Sequence, residues 1–228
     1  LCLVSGRSLV PLSGRALSGS LAAELLVAAL LHDAGYIRRV DEEGGTGAKY
    51  TKVHVERSAQ FVRDEAQAFG LDEARAQRIS LLILGTDLAR PWPPALASAE
   101  ELFAAAILAS ADLLGQMADR AYLERLLFLY YEFREAGIGD YKTTFDVLRK
   151  TADFYGTVKT RLDGPLGSAA GLALVHFRER YGLPRDLYRE AIGRQMVYLD
   201  SIIADDSTNF RRKLKRLDLA AIEREHTA

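Results

Sequence analysis

Apolar residues return at three- and four-residue intervals along almost the whole chain, and no segment shows sustained period-two alternation rich in β-branched residues. A chain patterned in this way can bury its apolar face only by packing helix on helix, so the expected class is all-α. Apolar residues make up 49% of the 228, enough for a sizeable core. Internal repeats are not visible.

Helix-stop and helix-start signals divide the chain. Residues 5 to 20, rich in Ser and Gly, read as a loop, and Leu21 to Asp33 as a strongly apolar helix with Glu24 in its first turn, where the helix dipole favours an acid. Gly35 is the expected terminator. Residues 38 to 52, with Gly44, Gly45 and Gly47 among mixed charges, look like the most flexible internal segment and a candidate lid. Helices follow from Val53 to Phe69, closed by Gly70, and from Asp72 as N-cap through Leu84. Pro91, Pro93 and Pro94 forbid a helix there. Ser98 and Glu101, at capping-box spacing, open the helix that carries Asp112. Further helices are expected over Tyr122–Glu135, Thr144–Leu162, Ala169–Tyr181 and Arg185–Ile203, with Gly182 and Pro184 as a stop and restart and a basic segment from Asn209. No flexible linker interrupts residues 120 to 140, so residues 1 to 228 read as one domain: a core over about 21 to 118 with a packed C-terminal helical extension over about 119 to 228.

Thirty basic residues stand against 31 acidic ones. The near-neutral balance gives no global attraction to nucleic acid or to an anionic membrane, and any phosphate recognition must be local. The lone cysteine, Cys2, cannot form an internal disulfide, which points to a reducing cytoplasm. The longest apolar run, Leu25 to Leu31, falls short of the roughly 18 residues that span a bilayer, and the first 20 residues lack the apolar region of a secretion signal. The sequence begins with Leu, which places a natural start upstream.

The run Leu25 to Leu31 ends in His32 and Asp33. An ionisable pair at the end of such a helix faces partial burial, which is costly without a partner, and a bound cation is one remedy. Imidazole with carboxylate suits manganese, iron, cobalt, nickel or zinc better than magnesium. The string Ala28-Ala29-Leu30-Leu31-His32-Asp33-Ala34-Gly35-Tyr36 resembles the defining motif of the HD-domain metal-dependent phosphohydrolases, and Ile107-Leu108-Ala109-Ser110-Ala111-Asp112-Leu113-Leu114 resembles the family's later Asp-bearing helix. His54-Val55-Glu56-Arg57-Ser58-Ala59 is similar to the intermediate helix, where members with two metals often place another ligand. The resemblance covers about residues 21 to 115 and implies an HD-type helical bundle.

It further implies a divalent transition metal held by His32, Asp33, Asp112 and His54, with Glu56 in reserve and Asp33 able to bridge two ions. His32 and Asp33 form the catalytic centre, and a metal-activated water cleaves a phosphomonoester or phosphodiester, a nucleotide among the candidates. Lys49, Lys52 and Arg57 are near enough in sequence to meet substrate phosphate. Two departures stand out. The family's first ligand is a His on a preceding helix, yet no His precedes His32; Leu1 to Val4 reads as the tail of such a helix, with the ligand upstream. Leu88 stands where some members carry a further His, with Asp87 beside it as a substitute oxygen ligand. The alternative is therefore a degenerate HD domain that binds a nucleotide or protein partner without catalysis, and a third reading is a purely structural helical module.

Other chemistry-bearing residues have plainer readings. His176 fits a core or interhelix role, and His226 has none. The run Arg211 to Arg216 reads as a solvated helix face rather than a nucleic-acid contact. Phe128, Tyr130, Tyr131 and Phe133 read as core packing rather than a base-stacking pocket, with one of them kept as a candidate for lining the site. The C-terminal helices either wall the pocket or build a homodimer interface.

Overall fold

A computed structural model describes residues 17–207, 209–219 and 224. The expectations for Leu1 to Val4, for Cys2 and for His226 lie outside the described residues. Among those residues the fold is all-helical with no strand: α1 (Gly19–Leu31), α2 (His54–Asp64), α3 (Glu73–Leu84), α4 (Ala99–Ala118), α5 (Tyr122–Glu135), α6 (Thr144–Asp163), the single turn α7 (Gly167–Ala170), α8 (Leu172–Tyr181) and α9 (Leu187–Ile203). Short 3-10 turns occupy Ala34–Tyr36, Gly47–Tyr50 and Phe210–Arg212.

Local chemistry sets most of the boundaries. Ser18 caps α1, accepting from the Leu21 amide at 3.4 Å, so this helix begins ahead of the expected Leu21. Asp72 caps α3 through the Arg75 amide at 2.8 Å, and Ser98 with Glu101 closes a full capping box at the head of α4. Thr143 and Asp146 form a second capping box on α6. Gly182 ends α8 at a φ of 67°, which an L side chain rarely adopts. The expected helix over Ala169–Tyr181 is broken at Gly171 into α7 and α8, and that over Val53–Phe69 relaxes into turns beyond Asp64.

Helix α4 occupies the middle of the bundle and touches α1, α3, α5, α7 and α9. Its small residues Ala104, Ala105 and Ala109 are buried and admit close neighbours, while Phe103, Leu108, Leu114 and Met117 fill the spaces between them. By length and composition α4 is the one described helix long and apolar enough to cross a membrane, although no uninterrupted apolar run of that length was apparent. More than half of its most apolar stretch is buried among the other helices, and it carries Glu100 and Glu101 in its first turn.

Glu24 is not where the sequence suggested. It lies beyond the first turn of α1, is 1% exposed, and faces α3, where it accepts from Arg78 Nε at 2.6 Å, Arg78 Nη2 at 3.0 Å and Arg75 Nε at 3.3 Å. A forked guanidinium satisfies a buried carboxylate geometrically as well as electrically. The basic run is likewise not a free helix face. Leu214 is buried, Arg211 donates to Thr144 Oγ1 at 3.1 Å, and Arg216 donates to the Arg120 carbonyl at 2.6 Å, so the segment straps the C-terminal side of the bundle.

Breaking the α1–α3 ion pair from the carboxylate side strands two arginines in a part-buried setting. Glu24→Ala is expected to cost about 3 kcal/mol of unfolding free energy, and Glu24→Gln, which keeps acceptor capacity, distinctly less. Urea titration of the two variants measures the difference.

Candidate functional site

The site begins at the C-terminal end of α1. His32 caps that helix, and its Nδ1 lies 2.9 Å from the Ala29 carbonyl. A carbonyl only accepts, so Nδ1 carries hydrogen, and in the neutral ring Nε2 keeps its lone pair. His54, the first residue of α2, repeats the arrangement with the Thr51 carbonyl at 2.8 Å from Nδ1. Its ring stacks on Tyr36 with centroids 4.4 Å apart. Both imidazoles are therefore locked from behind and turn Nε2 forward.

What they face are carboxylates. His32 Nε2 lies 3.3 Å from Asp33 Oδ2 and 3.7 Å from Asp112 Oδ1, and His54 Nε2 lies 3.7 Å from Asp33 Oδ1. The four side chains make a row, His54, Asp33, His32, Asp112, drawn from α2, the α1 terminus and α4. The Asp112 carboxylate raises the His32 imidazolium to about 9, against burial and with further support from Asp33 and the Ala29 carbonyl. Burial pushes the Tyr36 phenol up to about 12, leaving it a neutral hydroxyl.

Gly35 makes the assembly possible, and as more than the helix terminator the sequence suggested. It is buried in the 34–36 turn, and a Cβ built on it would lie 1.9 Å from the His54 carbonyl oxygen. Its amide donates to Ser58 Oγ at 2.8 Å, and that hydroxyl donates to the His54 carbonyl at 2.8 Å. The turn after α1 is thus fastened to the first turn of α2, which brings Asp33 beside His54.

The row opens on a cleft of about 1370 Å³ lined by Asp33, Tyr36, His54, Asp87, Asp112 and Lys52 among others. The segment expected to be a lid is anchored to α5. Glu135 accepts from the Thr46 amide at 2.5 Å, Thr46 Oγ1 at 2.8 Å and the Lys49 amide at 3.2 Å. Lys52 lines the cleft and donates to the Gly137 carbonyl at 2.8 Å. Lys49 and Arg57 are spent elsewhere. Lys49 Nζ donates to the Gly44 carbonyl at 3.0 Å, and Arg57 lies over the Tyr50 ring while bonding the Gly35 and Ile37 carbonyls and Glu42.

Asp87 lines the cleft with its oxygens turned to the Ala89 amide at 2.8 Å and Arg90 Nε at 3.2 Å, and Glu56 pairs with Arg90 at 3.3 Å. His176 stands apart among Phe177 and Tyr181. Of the four aromatic residues read mainly as core packing, two, Tyr131 and Phe133, line the cleft. Arg161 of α6 reaches the Gly85, Asp87 and Leu88 carbonyls at 3.2, 3.3 and 3.5 Å and so holds the rim that follows α3. One charge among many on amphipathic α6, it carried no distinguishing signal in the sequence.

A family model matches residues 22–162, the segment that runs from α1 to the end of α6 and contains every residue of the row. The chain belongs to the Npun_R2479-like family. No curated protein and no solved structure matches it. In this Npun_R2479-like chain, no three of the His, Cys, Asp and Glu side chains among the described residues surround one point as they stand; they meet in pairs.

Two substitutions probe the scaffolding separately. Gly35→Ala forces the 34–36 turn away from α2, with an expected loss of about 2 kcal/mol by chemical denaturation and a change in the ring-current shift of the His54 imidazole protons as its stacking on Tyr36 is disturbed. Glu135→Ala frees the 46–49 turn, so amide hydrogen exchange there should quicken while exchange in α4 stays unchanged.

Proposed function

We propose that this chain is a metal-dependent phosphohydrolase of the HD type, cleaving a phosphomonoester or phosphodiester, a nucleotide among the candidates, with water as the nucleophile. The observation that carries the reading is the row of His54, Asp33, His32 and Asp112 at the head of a large cleft, with both Nδ1 atoms tied to the main chain. Metal-binding histidines are typically held in this way, one ring nitrogen fixed by a carbonyl and the other presented. Ligands of one ion lie roughly 3 to 3.5 Å apart, and the three pair distances, 3.3, 3.7 and 3.7 Å, are of that order.

The donor types suit a divalent transition ion such as manganese, iron, cobalt, nickel or zinc, with magnesium less suited to imidazole, and the side chains, which now meet in pairs, would draw together around it. His32 and His54 would hold it through Nε2, and Asp33 and Asp112 through carboxylate oxygens. When bound, such an ion supplies Lewis acidity, making water a stronger acid and offsetting charge on the phosphoryl oxygens. Asp33, half-exposed at the cleft and in contact with both rings, is the group best placed to orient the attacking water and accept its proton. Hydrolysis joins the water oxygen to phosphorus and breaks the phosphorus–oxygen bond to the alcohol, which departs with one of the water protons. Lys52 offers a positive charge within the cleft. Lys49 and Arg57 shape the loop instead.

A second reading, a degenerate domain that binds a nucleotide or a protein partner without turnover, is favoured by Leu88 at the position of a further His and by the pairwise spacing of the row. Protein purified without chelator separates the two. The hydrolase reading expects stoichiometric transition metal and turnover of an aryl or bis-aryl phosphate, with Asp33→Ala losing at least about 100-fold in activity, since even partners behind the ligands cost 10- to 100-fold. Metal without turnover selects the second reading, and absence of both removes each of them.

A further inference from the structure

A second cavity of about 200 Å³ adjoins the row, lined in part by His32 and Asp112, and Asp112 also lines the large cleft. Its walls are apolar: Leu25 and Ala29 from α1, Ile107 and Leu114 from α4, and Ala170 and Leu172 from α7 and α8. Tyr188 of α9 completes it. These last walls lie beyond residue 162, where the family match ends. Gly115, an exposed residue of α4, sits at the mouth, and a Cβ placed on it would meet nothing within 4 Å. Ser110, another wall residue, has a hydroxyl that is buried with no hydrogen-bond partner among the described residues.

We infer that this cavity receives the organic group of the phosphate ester, a short aliphatic chain or a single ring, while the phosphoryl group lies against the histidine–aspartate row. The inference rests on the hydrolase reading and specifies the substrate class. Three observations support it. The cavity shares His32 and Asp112 with the row, so a group seated in it lies against two of the four side chains that the phosphoryl would meet. Away from His32 and Asp112 its lining is mostly apolar and offers little to a charged or strongly polar group, which disfavours the phosphate itself and a sugar bearing several hydroxyls. Its size is right, because a dry cavity of about 150 Å³ walled by Leu, Ile and Phe takes up benzene. A pocket open at Gly115 lets a chain longer than the cavity emerge.

Alkylphosphonates, which carry the phosphoryl and the chain but cannot be hydrolysed at the carbon–phosphorus bond, test this by calorimetry on manganese-loaded protein. Affinity is expected to rise roughly fourfold for each methylene from methyl to about hexyl and then level off, with phenylphosphonate near the top of the series. Gly115→Leu, whose Cβ has open space around it and whose longer side chain would crowd the cavity, should flatten the series and leave methylphosphonate binding intact. In metal-free protein, benzene alone should shift the methyl resonances of Ala170 and Leu172 and leave Tyr131 unmoved. A flat series in the unsubstituted protein, or no response to benzene, overturns the pocket assignment. Failure of methylphosphonate and inorganic phosphate to bind, with benzene still shifting Ala170 and Leu172, overturns the hydrolase reading and with it the assignment of this cavity to a phosphate ester.

Discussion

Helix α4 is packed against five other helices, and its rotation about its own axis is set by that packing. Leu108, Leu113, Leu114 and Met117 are all buried, so a turn of the helix that moved Asp112 away from His32 would expose core side chains on one face and drive part-buried ones inward on another. Burial of a Leu-sized side chain stabilises by about 1.5 to 3 kcal/mol, and several would be lost together. Apolar packing therefore holds a carboxylate against an imidazole that it would not approach for the sake of one ion pair. Both cavities depend on the same constraint, because Asp112 belongs to the wall of each.

Around that helix the site is made rigid by main-chain contacts rather than by charge. His32 and His54 are fixed by carbonyls three residues before them, and the 34–36 turn is fastened to α2 through Ser58. Gly35 allows two backbones to meet at a distance no side chain would permit. The charged groups are then held in a geometry they did not create. The raised pKa of His32 follows from this: Asp112 has been placed beside the ring and favours its protonated form, a proton that a metal ion at Nε2 would displace.

The pattern of apolar residues was sufficient to read the all-helical class and the capped starts of α3 and α4, since Asp72 and the Ser98–Glu101 pair act on amides within one turn of themselves. The same local logic found His32 and Asp33 at a helix end. It misled at Glu24 and fell short at Gly35. An acid near a helix start and a glycine after its end have familiar local uses, but here the first is taken by Arg78 of another helix and the second by the backbone of α2. The cations near the loop were read from sequence proximity alone. Lys49 within the loop and Arg57 from α2 bond loop carbonyls, whereas Glu135 and Arg161, which shape the cleft rim, come from α5 and α6 far along the chain.

By itself, then, the sequence determined what depends on periodicity and on neighbours within a turn: helices, their caps, and a histidine–aspartate pair at the end of an apolar run. Only the tertiary structure decided that Asp112 and His54 join that pair, that Tyr131 and Phe133 face a cleft, and that a second apolar cavity opens beside His32. The physical reason is that local signals act through hydrogen bonds over three or four residues, whereas these juxtapositions arise from how whole helix faces exclude water against one another, a property of the assembled bundle and of no single segment.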